Sequence, residues 1–263
     1  FDVLARIVAR DDSAKSASTF AQTDAAAATV LPRESRIYGD ALNVAAVSEL
    51  DPERRATIAA AAEELCPGLT EEAAWDTLMG TLAVIEIGGG DATASLSAAI
   101  QSRELDTALD RAAVLDWRLD GGASQGASTP PLPWLRGIPQ ALGEHPVWGP
   151  YLATRSASTA EQAQRLADEF RTMAEEHLPI WALPLADHRE LLADVAVWRA
   201  WAQVDERDPA LLGPNVAMVR ARRHQARLER RIEGVLGQID RSAGGWLELL
   251  GPENQHLKQD PFW

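Results

Sequence analysis

The side chains best placed to do chemistry form an arginine run near the end of the chain: Arg220, Arg222, Arg223, Arg227, Arg230 and Arg231, with Glu229 the one acid among them. On a helix, Arg220, Arg223, Arg227 and Arg230 fall on one face, so their guanidinium groups make a strip of positive potential able to pair with phosphates. The plainer reading of the same strip is a solvated arm whose arginines pair with acids elsewhere on the chain. No Phe, Tyr or Trp interleaves with these arginines, so a platform on which bases stack is not indicated.

The other chemical candidates stand apart. His145, His177, His188, His224 and His256 show no His-Glu-x-x-His spacing, and Glu175, Glu176 and His177 would join His188 and Glu190 around a metal only if two helix ends met. His177 suits a helix C-terminus, where the dipole favours a cationic ring. Cys66 has no neighbouring base and reads as a packed helix-end thiol. Gly88-Gly89-Gly90 runs into Asp91, whose charge repels phosphate, so a helix turn is expected there. Ser13, Ser16, Ser18 and Thr19 lack a His–Asp pair and read as caps, and no Gly-Lys-Ser/Thr occurs to cradle a nucleotide phosphate. Expected, then, is a non-catalytic chain with no cofactor and no metal.

Tryptophan carries the packing information. Trp117, Trp148, Trp198 and Trp201 sit among aliphatic residues at helical spacing and are expected as core anchors. Trp134, after a proline-rich stretch, and Trp246, after Gly244-Gly245, lie at element edges and are the candidates for an exposed protein-docking surface.

The elements that must position these groups are helices. Apolar residues recur at three and four with helix formers between them, and alternation of β-branched and aromatic residues is almost absent, so an all-α chain of bundle-like units with long arms is expected. Helices are expected over Val3–Arg10, Ala14–Thr29 and Ser35–Leu50, the last with a stripe of Ile37, Ala41, Val44, Ala45 and Val47. Asp51-Pro52 opens another that ends at Cys66-Pro67-Gly68. Thr70-Glu71-Glu72 is expected to cap a helix carrying Trp75, Leu78, Met79, Leu82 and Ile85, and Asp91 and Asp106 to cap two more. Small and proline residues over 121–133 mark a linker between a 1–120 domain and a 134–263 domain. Beyond it, helices are expected over 135–142, 146–177, 187–204 and 214–240. In the last, Met218, Ala221, Gln225, Leu228, Ile232, Val235 and Ile239 make a seam that needs a partner helix, and Ala163, Leu166, Phe170, Met173 and His177 have the same spacing.

Bulk properties narrow the function classes. The chain has 263 residues, 46% of them hydrophobic, enough for a substantial core. With 25 Lys+Arg against 39 Asp+Glu the net charge is −14, which excludes coating duplex DNA with the whole surface and leaves only a local basic patch. One cysteine excludes an internal disulfide or a multi-thiolate metal site and suits a reducing, cytoplasmic setting. The longest apolar stretch, Leu78–Ile87, is interrupted by Gly80, Thr81 and Glu86 and is about half of a bilayer span, so no membrane insertion is expected. An opening on Phe1 and an ending on Asp260-Pro261-Phe262-Trp263 read as those of a piece of a longer protein.

Several ordered phrases resemble one family. They are Val8–Thr19; Tyr38-Gly39-Asp40-Ala41-Leu42; Arg103–Ala108 with Ala113–Asp120; Leu132-Pro133-Trp134-Leu135-Arg136-Gly137-Ile138-Pro139; Pro146–Leu152; and Asp194–Arg199. Over most of its length the chain is similar to the region after the helicase part of actinobacterial MobF-class conjugative relaxases, the TraA/TrwC-like proteins. Such a parent carries a relaxase with a tyrosine nucleophile and a histidine metal cluster, then an ATP-dependent helicase; the chain's Tyr38 and Tyr151 have no such cluster nearby. The resemblance therefore implies a non-catalytic C-terminal accessory region acting in DNA transfer. Its implied partners are relaxosome or secretion-coupling proteins, or the upstream helicase domain of the same chain. The alternative is a module contacting single-stranded DNA through the arginine-rich helix, and the oligomeric state stays open.

Overall fold

A computed structural model describes residues 27–105, 107–119 and 127–249, with backbone alone for 27 and 238–249. The fold is all-α, with no strand among the described residues. Its helices are α1 (Ala27–Glu49), α2 (Pro52–Leu65), α3 (Trp75–Ile87), α4 (Ala92–Gln101), α5 (Arg111–Arg118), the single turn α6 (Gln140–Gly143), α7 (Trp148–Thr172), α8 (Arg189–Trp201) and α9 (Val219–Leu249). Short 3-10 turns lie at Leu69–Glu71, Glu175–His177 and Ile180–Leu185, so His177 sits beyond the end of α7 rather than within it. No described helix is long and apolar enough to cross a membrane.

Local chemistry sets several helix starts. The Asp51 carboxylate accepts from the Glu53 and Arg54 amides, and Pro52 fills a first-turn position where no amide partner is lost. Asp91 accepts from Ala94. Asp106 lies outside the described residues; α5 is capped by Asp110, which accepts from Ala113 at 2.8 Å. The other Asp110 oxygen accepts from the Ala74 amide at 2.9 Å, so one carboxylate serves the starts of α3 and α5. Thr70-Glu71-Glu72 therefore does not cap α3; most of it is the 3-10 turn before that helix.

One helix spans the expected break between Thr29 and Ser35. Pro32 lies in the second turn of α1, where its missing amide costs a single bond near the helix start, and Leu31 beside it is fully buried. The buried stripe is Leu31, Ser35, Tyr38, Leu42 and Ala45, whereas Val44 of the expected stripe is 49% exposed. Ala45 of the expected stripe is fully buried and Ala41 and Val47 pack against the core at its edge, while the larger tyrosine and leucine area takes its centre.

Two cores form. The first gathers α1 from Tyr38 onward, α2 to α6, and Trp148 and Leu152 at the start of α7. The second gathers Leu31, Leu132, Trp134, the later part of α7, α8 and α9. Because α1 and α7 pack on each other and enter both cores, the packing does not divide at 121–133. The described end of that stretch is anchored: the Ser128 amide donates to the Ile138 carbonyl, the Ile138 amide donates to Ser128 Oγ, and Leu132 is buried.

The α9 seam is buried at Ala221, Gln225, Leu228 and Ile232, while Met218 is exposed. Its partner is α8, against which α7 also packs. Trp148 and Trp198 are core residues as expected and Trp201 is half-buried, but Trp117 is 47% exposed. Ala112, Leu115 and Leu119 hold the buried face of α5, and a residue two beyond Leu115 falls off it.

Candidate functional site

Alongside α1 lies a cleft of about 490 Å³. Its walls come from Arg33, Ser35, Arg36, Tyr38 and Gly39 of α1, Thr81 of α3, Asp116 and Leu119 of the α5 end, the Trp134-Leu135-Arg136 segment, Trp201 and Gln203 at the end of α8, and Met218 and Arg220 at the start of α9. Three of the phrases that carry the family resemblance meet here: Tyr38–Leu42, Ala113–Asp120 and Leu132–Pro139.

A polar chain links the walls. The Thr81 hydroxyl donates to Asp116 Oδ1 at 2.5 Å, and Arg136 Nη1 donates to Thr81 Oγ1 at 3.0 Å. Burial pushes the Asp116 carboxyl above its ordinary range, against the opposing pull of the Thr81 bond and the Arg136 charge. The Tyr38 hydroxyl donates to the Arg136 carbonyl at 2.6 Å, and burial raises its pKa far above the usual phenol value, which keeps it a donor. This holds Trp134-Leu135-Arg136 against α1.

Four arginines, Arg33, Arg36, Arg136 and Arg220, line the cleft against two carboxylates, Asp40 and Asp116, a local reversal of sign on a chain of net charge −14. Arg33 and Arg36 are exposed and form no ion pair among the described residues. Gln203 has φ 54°, a left-handed conformation usual for glycine. It closes α8 in a Schellman-type end, its amide donating to the Ala200 carbonyl and that of Val204 to the Arg199 carbonyl.

The expected arginine strip is partly dismantled. Arg222, Arg223, Arg227 and Arg230 are exposed on α9, but Arg220 is half-buried at the cleft and Arg231 pairs with Asp194 of α8 at 2.5 Å. Arg222 Nε donates to the Val216 carbonyl at 3.1 Å. Trp134 is not an exposed docking residue: it is 2% exposed, edge-on to Trp198 at 5.3 Å and tilted against Trp201 at 5.2 Å and His224 at 4.5 Å. Its place at an element edge put it in the wedge between α8 and α9. The side chain of Trp246 lies outside the described residues, as does His256. Among the described residues no group of three or more His, Cys, Asp or Glu is placed to hold a metal.

No family model, curated protein or solved structure matches the chain. Function must therefore be read from the chemistry of the site. Arg33, Arg36, Thr81, Asp116 and Arg136 were not singled out in the sequence, where 55 residues separate Thr81 from Arg136. The local signs of them are the pair Arg33 and Arg36, a helical turn apart, and the places of Asp116 and Arg136 within two of the quoted phrases.

Proposed function

We propose that the chain is a non-catalytic helical accessory module of a conjugative relaxase-helicase, and that it contacts single-stranded DNA through the basic outer face of α9 and the neighbouring cleft. The observation that carries this is the concentration of Arg223, Arg227 and Arg230 on one exposed helix face of a strongly acidic chain. Elsewhere the net charge repels a phosphate backbone, so this face selects where a strand can lie. The assignment to a relaxase-helicase rests on the ordered phrases, and the meeting of three of them at the cleft supports it. The test is plasmid transfer by the parent enzyme carrying Arg223→Glu, Arg227→Glu and Arg230→Glu together. Transfer is expected to fall about tenfold or more with nicking and ATP hydrolysis retained; unchanged transfer argues against the proposal.

Docking to relaxosome or secretion-coupling proteins, or to the upstream helicase domain, is favoured by a different feature. Val44 and Val147, each nearly half exposed, flank a groove lined by Val47, Met79 and Trp148 with Glu49 and Asp76 at its rim. Under this reading Val44→Glu with Val147→Glu weakens binding to the upstream domains and leaves DNA binding intact.

A further inference from the structure

We propose that the cleft beside α1 is a nucleotide-binding pocket that prefers guanine, with the phosphate held at the mouth by Arg33 and Arg36 and the base seated against Trp201 with its N–H edge on Asp116. This goes beyond the α9 face and stands on different residues.

The volume, about 490 Å³, lies in the range of organic-ligand sites, and the walls combine apolar surface from Leu119, Leu135, Trp201 and Met218 with a few convergent polar groups. Arg33 and Arg36 stand one helical turn apart without acidic partners among the described residues, an arrangement suited to a phosphate, which two guanidinium groups can grip from one side.

Asp116 supplies the opposite requirement. Thr81 donates to Oδ1 at 2.5 Å, and the carboxylate has further acceptor sites on its two oxygens. A part-buried carboxylate on the cleft wall can accept a paired donor edge, and the adjacent N1–H and N2–H groups of guanine match the spacing of its two oxygens. Two buried atoms on residues lining the cleft, Ser35 Oγ and Trp134 Nε1, have no hydrogen-bond partner among the described residues.

Gly39 shows that the space is kept open. It lies inside α1, where glycine destabilises a helix relative to alanine, and a Cβ built on it meets nothing within 4 Å. No neighbour requires a glycine there, and its missing side chain leaves the cleft clear.

The same chemistry could arrive as a free nucleotide or as one unit of a single strand. Calorimetric titration of the full chain with dGMP, dTMP and inorganic phosphate tests the pocket. Saturable 1:1 binding of dGMP is expected, about tenfold tighter than dTMP and phosphate. Arg33→Glu with Arg36→Glu weakens it about tenfold, Asp116→Asn removes the preference over dTMP, and Gly39→Leu, which grows into open space, abolishes binding while the circular dichroism spectrum is unchanged. No saturable dGMP binding up to about 5 mM, equal affinity for dGMP and dTMP, or binding that survives Gly39→Leu overturns the proposal. An oligothymidine with one internal guanine separates the sources: an affinity gain over plain oligothymidine, lost in Gly39→Leu, assigns the pocket to a strand, and binding of dGMP without that gain assigns it to a free nucleotide. Loss of oligonucleotide binding on reversing Arg223, Arg227 and Arg230 tests the α9 face separately, so either site can fail alone.

Discussion

The Tyr38 hydroxyl reaches the Arg136 carbonyl oxygen at 2.6 Å across 98 residues of chain, and fixes one cleft wall to another. Tyr38→Phe leaves that carbonyl without its phenolic donor. A loss of about 1–2 kcal/mol is expected, read as a fall of a few degrees in the thermal midpoint. Amide exchange should speed up around Leu135 and Arg136.

Arg199 is a second clasp, which holds the loop that follows its own helix. It is only 3% exposed, lies 4.4 Å from the Trp181 ring centre, and donates to the carbonyls of Asp205 at 2.7 Å and Asp208 at 3.0 Å and to that of Ala210. Arg199→Met keeps the bulk and leaves these carbonyls without their guanidinium donor, for an expected cost of about 3 kcal/mol in urea denaturation. Cleavage of the 203–213 loop by protease should rise with it. Arg199→Lys recovers part of the loss, since one ammonium cannot reach every carbonyl that the guanidinium fork does.

His224 gives a pH dependence whose sign follows from its surroundings. Packed against Trp134 and Trp198, it has a pKa pushed down by burial to about 4, with the Arg227 charge adding to the effect. The unfolded chain, with an ordinary histidine value of about 6.5, takes up this proton more readily. The His224 contribution to stability is therefore complete above pH 6.5 and is lost as the pH falls toward about 4. His224→Gln should flatten the denaturation midpoint over this window relative to the parent chain, with the carboxylates common to both cancelling.

Two glycines mark close backbone approach. A Cβ at Gly137 would strike the Ser128 carbonyl, and one at Gly149 the Gly143 carbonyl. Each alanine substitution is expected to cost about 1–3 kcal/mol, because backbone must move. Gly39→Ala should instead stabilise by about 0.5–1 kcal/mol, and thermal melts of the three variants check the contrast.

What could be read from the sequence was local. The Asp51-Pro52 start and the Cys66-Pro67-Gly68 stop each lie within a few residues and the structure keeps both, while the α9 seam, a repeat of local spacing, is buried at Ala221, Gln225, Leu228 and Ile232. The course of α1 through Pro32 was hidden because a proline's local cost was outweighed by burial of Leu31 and Tyr38 against distant partners. Trp134 was misplaced for the same reason, its pocket being made by Trp198, Trp201 and His224 far along the chain. The cleft lay beyond sequence reading because Tyr38, Thr81, Asp116 and Arg136 meet only through the packing of α1, α3, α5 and the 134–136 segment.

The most direct test of DNA contact is fluorescence anisotropy of labelled single-stranded DNA with the full chain across a salt series. The logarithm of the binding constant should fall linearly with that of salt, by about 0.7 for each phosphate contacted, so a slope of about −2 to −3 is expected for three to four arginines. Arg223→Glu, Arg227→Glu and Arg230→Glu together should remove most of the affinity and flatten the slope. No binding at low salt, or a slope unchanged by the three reversals, would contradict the account.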